Sequence, residues 1–255
     1  LFSPNFIGRG DGCVYKHKRP GRNREGRNPL AGFAVSLHPV HIDSKDALMA
    51  RTPVIEFWYE FASTYSYLSA MRIEEAAREA GVVVRWRPFL LGPIFSTQGW
   101  NTSPFNLYPA KGRYMWRDMA REAARIGLPL VKPAPFPQNS LTATRVALLG
   151  ADEPWGPEFT RAVYRTEFGE GRSIEEPSAV RAILETCGLD PDVIMKAATS
   201  DANKTRLRAL TEEARSRHMF GAPTFFTEDG EMFWGNDRLE AALAWATGER
   251  PGDLR

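Results

Sequence analysis

The chain has 255 residues, 43% hydrophobic and 25% charged, which suits one large globular domain or a core domain carrying an insert. A net charge of +2 gives no reason to invoke nucleic acid or a membrane surface, and no apolar run approaches the roughly 18–20 residues that cross a bilayer. Its two cysteines, Cys13 and Cys187, are far apart. That excludes a CxxC redox pair, a cysteine-based zinc site and a disulfide framework; no metal is expected, and a reducing cytoplasm is the natural setting.

Residues 1–48 are rich in Arg, Lys, Gly and Asn, hold three of the four histidines, and show no sustained helical or strand period. The first methionine is Met49. The expectation is that translation starts there and that 1–48 is mis-annotated upstream sequence or a disordered extension. A targeting peptide is the minority alternative, since the apolar patch at 30–37 is short for a signal core.

The strand expected to begin at Val54 is rich in aromatic and branched residues. A small-polar turn at 62–64 follows, then an amphipathic helix to Ala80, stopped by Gly81. Residues 82–89 read as a second strand, parallel to the first because a helix connects them. A Pro/Gly/Asn-rich stretch runs from Gly92 to Pro109 and opens the mainly helical block. A helix then follows Lys111 to about Arg125, and 129–137 is a breaker-dense loop. Helices are expected over 141–149, 158–168, 176–187, 191–199 and 203–218. Residues 223–227 and 231–234 read as a hairpin about the turn 228–230. Gly235, Asn236 and Asp237 then cap a last helix to Ala246, with Asn or Asp as N-cap. The order βαβ, helical block, hairpin, helix is that of an α/β thioredoxin-like domain with an all-helical insertion. It divides as 49–91 (βαβ part), 92–218 (insertion), 219–248 (hairpin and last helix) and a tail over 249–255.

Ser63 stands where the first strand ends and the first helix begins. Free backbone N–H groups and the helix dipole there favour an anion such as a thiolate. The plainer alternative is that Ser63 or Thr64 only caps the helix. His218 is better explained as a residue closing a helix C-terminus than as a functional group.

Three motifs carry a resemblance: FASTYSYL at 61–68, FGAPTFF at 220–226 and WGNDRL at 234–239. In this order and spacing they resemble the 2-hydroxychromene-2-carboxylate isomerases and the kappa-class glutathione transferases, of the DsbA-like branch of the thioredoxin fold. The DsbA oxidoreductases have CxxC where this chain has Ser63-Thr64-Tyr65-Ser66, so thiol–disulfide chemistry by the protein itself is excluded. The resemblance implies glutathione as cofactor, with Ser63 as the catalytic residue donating to its sulfur and favouring the thiolate. Thr64 departs from the family's usual Pro. The resemblance also implies a cis Ala222–Pro223 bond facing Ser63, with the Ala222 N–H and C=O free to pair with the extended cofactor. An ordinary trans Pro opening a strand is the alternative. Asn236 and Asp237 would hold the γ-glutamyl end, or simply cap the helix. Asn101 and Lys111 complete the glutathione set, although an exposed Lys is more often a solvated charge. Tyr114, Trp116, Asn139 and Arg145, with Phe95 and Trp100 nearby, are the candidate substrate pocket; aromatic residues at helical spacing are more often core.

The activity implied is a glutathione-dependent isomerase in aromatic compound catabolism, with the thiolate adding to and leaving a conjugated substrate. The alternatives are a kappa-like glutathione transferase or peroxidase, and a non-catalytic thioredoxin-like binding module. The partner expected is a small aromatic molecule, with no nucleic acid and no membrane; a homodimer is left open.

Overall fold

The computed structural model describes residues 52–250; the expectations for 1–48 lie outside them. Strand β1 (Val54–Tyr59), helix α1 (Thr64–Ala80) and strand β2 (Val83–Pro88) form the expected unit, with β1 and β2 parallel from Val54 opposite Val83 to Tyr59 opposite Pro88. The chain returns to the sheet at β3 (Thr224–Thr227), antiparallel to β1, and β4 (Met232–Trp234), antiparallel to β3. The resulting order is β2-β1-β3-β4. The hairpin turns where Glu228-Asp229-Gly230 predict it, with the Gly230 N–H donating to the Thr227 carbonyl at 2.9 Å.

Side chains of a strand alternate between faces, and β1 uses both. Ile55, Phe57 and Tyr59 enter one apolar cluster, while Trp58 enters the other. The Phe57 ring lies 5.1 Å from Tyr59, 5.1 Å from Trp86 and 5.5 Å from Phe225. On the opposite face Trp58 meets Phe89 and Phe226 edge-on. A sheet covered on both sides needs a near-continuous apolar central strand, which is why 54–59 carries only one charge, Glu56. That carboxylate sits at the strand's half-buried start among arginines. Arg217 Nη1 donates to it at 2.5 Å, and Arg87 and Arg85 stand 3.6 Å away.

Between β2 and β3 the described chain is helical. Two short helices, α2 (Leu91–Thr97) and α3 (Pro104–Leu107), lie in the Pro/Gly/Asn-rich stretch 92–109. Pro104 stands in the first turn of α3, where its missing N–H removes no helical bond, and Ser103 caps that turn by accepting from the Phe105 N–H at 3.2 Å. Helix α4 (Pro109–Arg125) packs on α3 so closely that a Cβ on Gly112 would collide with the Phe105 carbonyl oxygen. Helices α5 (Leu141–Leu149), α6 (Gly156–Tyr164), α7 (Pro177–Thr186), α8 (Pro191–Ala198) and α9 (Asp201–Ser216) follow the predicted periodicities. The helix expected over 158–168 instead changes to a π-type turn over Arg165–Gly169. A 3-10 turn (Asn236–Arg238) precedes the last helix, α10 (Leu239–Ala246).

Candidate active site

The turn between β1 and α1 is closed by the Ser63 N–H donating to the Glu60 carbonyl at 3.0 Å. Ser63 is then the N-cap of α1, its Oγ accepting from the Ser66 N–H at 3.3 Å. Capping uses only the oxygen. The hydroxyl hydrogen goes to the carbonyl of Ala222, at 2.8 Å and 159 residues along the chain. The Ala222–Pro223 peptide is cis, as the resemblance implies. The Ala222 carbonyl is therefore not free, contrary to expectation, because Ser63 reaches it first. Its N–H has no acceptor among the described residues.

The start of α1 suits an anion. No acidic side chain occupies its first turn, so the positive end of a 17-residue helix is uncompensated. The amides of Thr64 and Tyr65 lie in that turn, where no intrahelical acceptor exists. Thr64 is buried and donates to Met115 Sδ at 3.3 Å. Packing against α4 thus holds the position that a ring would otherwise stiffen. Tyr65 extends the same contact, its hydroxyl donating to Asp118 at 2.9 Å.

Lys111 lies one turn before Met115 on α4, hence on the side that meets α1, with its Nζ 5.8 Å from the centre of the Phe105 ring. Asn101 is exposed between α2 and α3 and makes no hydrogen bond among the described residues. Asn236 is buried and is not an N-cap, which corrects the sequence expectation. Its Oδ1 accepts from Ser69 Oγ at 3.0 Å and Arg72 Nε at 3.1 Å, and its carbonyl accepts from Arg72 Nη2 at 2.5 Å. These α1 donors turn the side chain inward; Gly235, at φ 114°, takes the cap position of the 3-10 turn, and Arg238 that of the last helix, so neither Asn236 nor Asp237 caps it. Asp237 is exposed and pairs with Arg238 at 2.8 Å.

The expected substrate residues separate. Tyr114 is exposed, with Arg121 over its ring at 5.7 Å. Trp116 packs edge-on against Phe136 at 5.0 Å. Asn139 is exposed; its side chain accepts from the Leu141 N–H at 3.1 Å and its own N–H donates to Glu175 at 2.8 Å, so it organises the start of α5. Arg145 lies one turn beyond Leu141 on α5, and its buried Nε has no partner among the described residues. Phe95 stacks obliquely on Trp100 at 5.6 Å. Phe95, Leu90, Leu141 and Ala222 each pack, half-buried, against the cluster around Trp58. His218, at φ 59°, ends α9 through its backbone N–H to the Arg215 carbonyl, not through its ring.

Sequence reasoning missed three features. One is the exposed Phe220–Trp234 pair, 4.8 Å apart and adjoining Gly221 and Gly235; its residues sat in two recognised motifs, so a signal was present. The second is the Arg72 clamp on Asn236, for which no local signal exists. The third is two buried acids, Glu60 in the Ser63 turn and Glu167 in the π-type turn. Glu60 accepts from Ser140 Oγ at 2.5 Å and from the Ala62 N–H at 3.2 Å. Burial pushes its carboxyl up, with those two donors opposing. Glu167, in the π-type turn, is fully buried with both oxygens unpartnered; burial first, and then Glu60 and Glu175, push it well above the ordinary carboxylate range. An acid in an aromatic strand just before a turn was the available clue to Glu60.

A family model, the DSBA-like thioredoxin domain, matches residues 54–244. A 2-hydroxychromene-2-carboxylate isomerase of Sphingobium xenophagum is 32% identical over 191 residues, 74% of this chain and 95% of that protein. A glutathione S-transferase kappa 1 of Caenorhabditis elegans is 25% identical over 204 residues, 75% of this chain and 89% of that one. Among solved structures, a 2-hydroxychromene-2-carboxylate isomerase superposes with a TM-score of 0.68 at 30% identity, covering 76% of this chain and 94% of that one. With a sheet of order β2-β1-β3-β4, a helical block between β2 and β3, and serine rather than cysteine at the start of α1, the chain belongs to the DsbA-like thioredoxin domain family and, within it, to the 2-hydroxychromene-2-carboxylate isomerase-like enzymes.

Proposed function

We propose that the protein is a glutathione-dependent isomerase of the 2-hydroxychromene-2-carboxylate type, acting on a small, ring-opened aromatic-degradation intermediate. The observation that carries this is the Ser63 hydroxyl, set at the unopposed positive end of α1 and 2.8 Å from the carbonyl beside Pro223. Glutathione, when bound, supplies the thiolate that adds to and leaves a conjugated substrate without net redox change.

The chain's own groups fit such a cofactor. The Ala222 N–H lacks a protein acceptor, the first turn of α1 lacks an acid, and the 3-10 turn at Asn236 has its backbone held in place by Arg72. Ser63 needs only to turn its O–H about the C–O bond, away from Ala222, to donate to a sulfur, while its oxygen keeps the Ser66 N–H. A donor to the charged form, together with the helix end, lowers a thiol's pKa. Lys111 and Asn101 are assigned to the same cofactor, and Asp237 to its α-ammonium once it releases Arg238. Leu90, Phe95 and Leu141, which pack against the Trp58 cluster, would receive the aromatic ring, and Arg145, with an unpartnered Nε, its carboxylate. Tyr114 and Trp116, both on α4, are assigned lesser roles. Similarity to a kappa transferase supports a second reading, transfer of glutathione to another electrophile at the same serine.

Incubation of the protein with glutathione and 2-hydroxychromene-2-carboxylate, followed by absorbance, tests the reading. Conversion that requires glutathione supports it, and turnover without glutathione refutes it. Ser63→Ala should raise the pKa of the bound thiol, read from thiolate ultraviolet absorbance, by about one unit or more for loss of a charge-assisted hydrogen bond. An unchanged thiol pKa would remove Ser63 from its role.

A further inference from the structure

Glu60 gathers the hydrogen bonds of the turn between β1 and α1. Its carbonyl accepts from the Ser63 N–H at 3.0 Å, and its carboxyl Oε1 accepts from the Ala62 N–H at 3.2 Å. The amides of the last two residues before α1 therefore both end on one residue. The same two acceptors reach into the helical insertion. The carbonyl also accepts from the Tyr164 hydroxyl of α6 at 2.9 Å, and Oε1 also accepts from Ser140 Oγ at the start of α5. Tyr164 is fully buried among the rings of Phe61, Tyr67 and Phe168, a close-packed setting that leaves its hydroxyl little freedom.

Ser140 forgoes a local role for this bond. It stands at the N-cap of α5, where a serine oxygen ordinarily accepts from an amide of the first turn, yet its side chain makes no such bond. Asn139 Oδ1 accepts from the Leu141 N–H instead, at 3.1 Å. The Ser140 carbonyl is held in turn by the Thr144 N–H at 2.8 Å and the Thr144 hydroxyl at 2.9 Å. Its own hydroxyl is buried and committed to a residue 80 positions earlier in the chain. A buried carboxyl is costly unless it is hydrogen-bonded, and this one keeps its donors only while the turn and the start of α5 hold their relative places.

We propose that Glu60 is a positioning residue, the joint that sets Ser63 relative to the start of α5, and that it acts through the geometry of its two acceptor oxygens and not through its charge. Leu141 and Arg145 lie on α5, so this joint fixes the spacing between a cofactor sulfur at Ser63 and a substrate held on that helix. The catalytic consequence rests on the function proposed above; the joint itself does not.

The test follows the Ala62 and Ser63 amide shifts by NMR in the full chain without cofactor. Ser140→Ala removes no capping bond of α5 and should nonetheless move both amides, from a distant part of the sequence. Tyr164→Phe should move the Ser63 amide more than that of Ala62, because it frees only the carbonyl. Glu60→Gln keeps an acceptor oxygen for both donors and should hold the amides near their wild-type positions, whereas Glu60→Ala should shift both. If Glu60→Ala does not fold, Ser140→Ala carries that arm. Amides that ignore Ser140→Ala, or that move as far in Glu60→Gln as in Ser140→Ala, would overturn the proposal. With glutathione bound, Ser140→Ala should raise the thiol pKa by about half a unit, a roughly threefold drop in the ratio of thiolate to thiol, and Glu60→Gln should leave it in place. A residue that only stabilises the fold would lower the urea midpoint in Ser140→Ala and leave the thiol where it was, and that result also counts against positioning. If the amides follow Ser140 while Ser63→Ala leaves the thiol unchanged, the joint stands and the thiolate reading fails. If Ser63→Ala raises the thiol pKa while Ser140→Ala moves neither amide nor thiol, the joint fails and that reading stands.

Discussion

Replacing Glu167 by Gln should make the protein more stable, and by an amount that grows with pH. The side chain is fully buried, unpartnered among the described residues, and held well above the ordinary carboxylate range chiefly by that burial. Below the unfolded-state pKa, both states carry the proton and Glu167 favours folding as a neutral group. As pH rises past that value the unfolded chain releases its proton while the folded chain keeps it, so the unfolded state gains ground. Stability falls by about 1.4 kcal/mol per pH unit for one proton, until the folded-state pKa is passed and the acid ionises in both states. Glutamine has nearly the same size and never ionises, so it lacks this loss. Glu60 is also raised and adds a slope of the same sign, but it is present in both proteins and its direct part cancels in the difference. Urea unfolding at a series of pH values gives the difference directly. The gain of Glu167→Gln should be smallest near about pH 4 and climb by about 1.4 kcal/mol per unit above it. A difference that stays flat across the series would refute the claim that Glu167 is carried as a neutral acid.

Glu56→Gln should show the opposite pH dependence. Burial pushes the Glu56 carboxyl up, but Arg217, Trp58 and Arg87 outweigh it and leave the group below its usual value. Its contribution is present above the unfolded-state pKa and lost as pH falls through the folded one, so the variant should be destabilised at neutral pH and match the wild type in acid; equal loss at both would contradict the arginine cluster. Phe57→Ala removes a fully buried ring packed against three others and should cost about 3–5 kcal/mol by urea or thermal unfolding. A loss below about 1 kcal/mol would mean that β1 is not the centre of the core. Arg72→Met keeps the apolar stem but leaves Asn236 without two donors, and it should cost about 1.5–3 kcal/mol and weaken glutathione binding measured by calorimetry. Unchanged affinity would detach the Asn236 turn from the cofactor site.

The expectations that held are those with a local physical cause. Branched and aromatic runs made the strands, the 3.6 period placed five helices of the insertion within a few residues, and Gly81 stopped α1. The Pro-rich stretch 92–109 hid two short helices because proline in a first turn is compatible with a helix, and local sequence cannot say that α4 waits to pack on one of them. Asn236 misled for a related reason. Its type predicts a cap, yet Ser69 and Arg72, more than 160 residues earlier, bind its side chain more effectively than its own helix start could.

By itself, then, the sequence determined the fold class, the family, and the absence of a cysteine pair at Ser63, because each depends on residue identity and short-range order. Only the tertiary structure decided where the Ser63 hydrogen points, since its acceptor at Ala222 comes from the other end of the chain. The same holds for two buried acids. Glu60 and Glu167 read as ordinary charged residues until folding removes water from both, and it is this burial that pushes their carboxyls up.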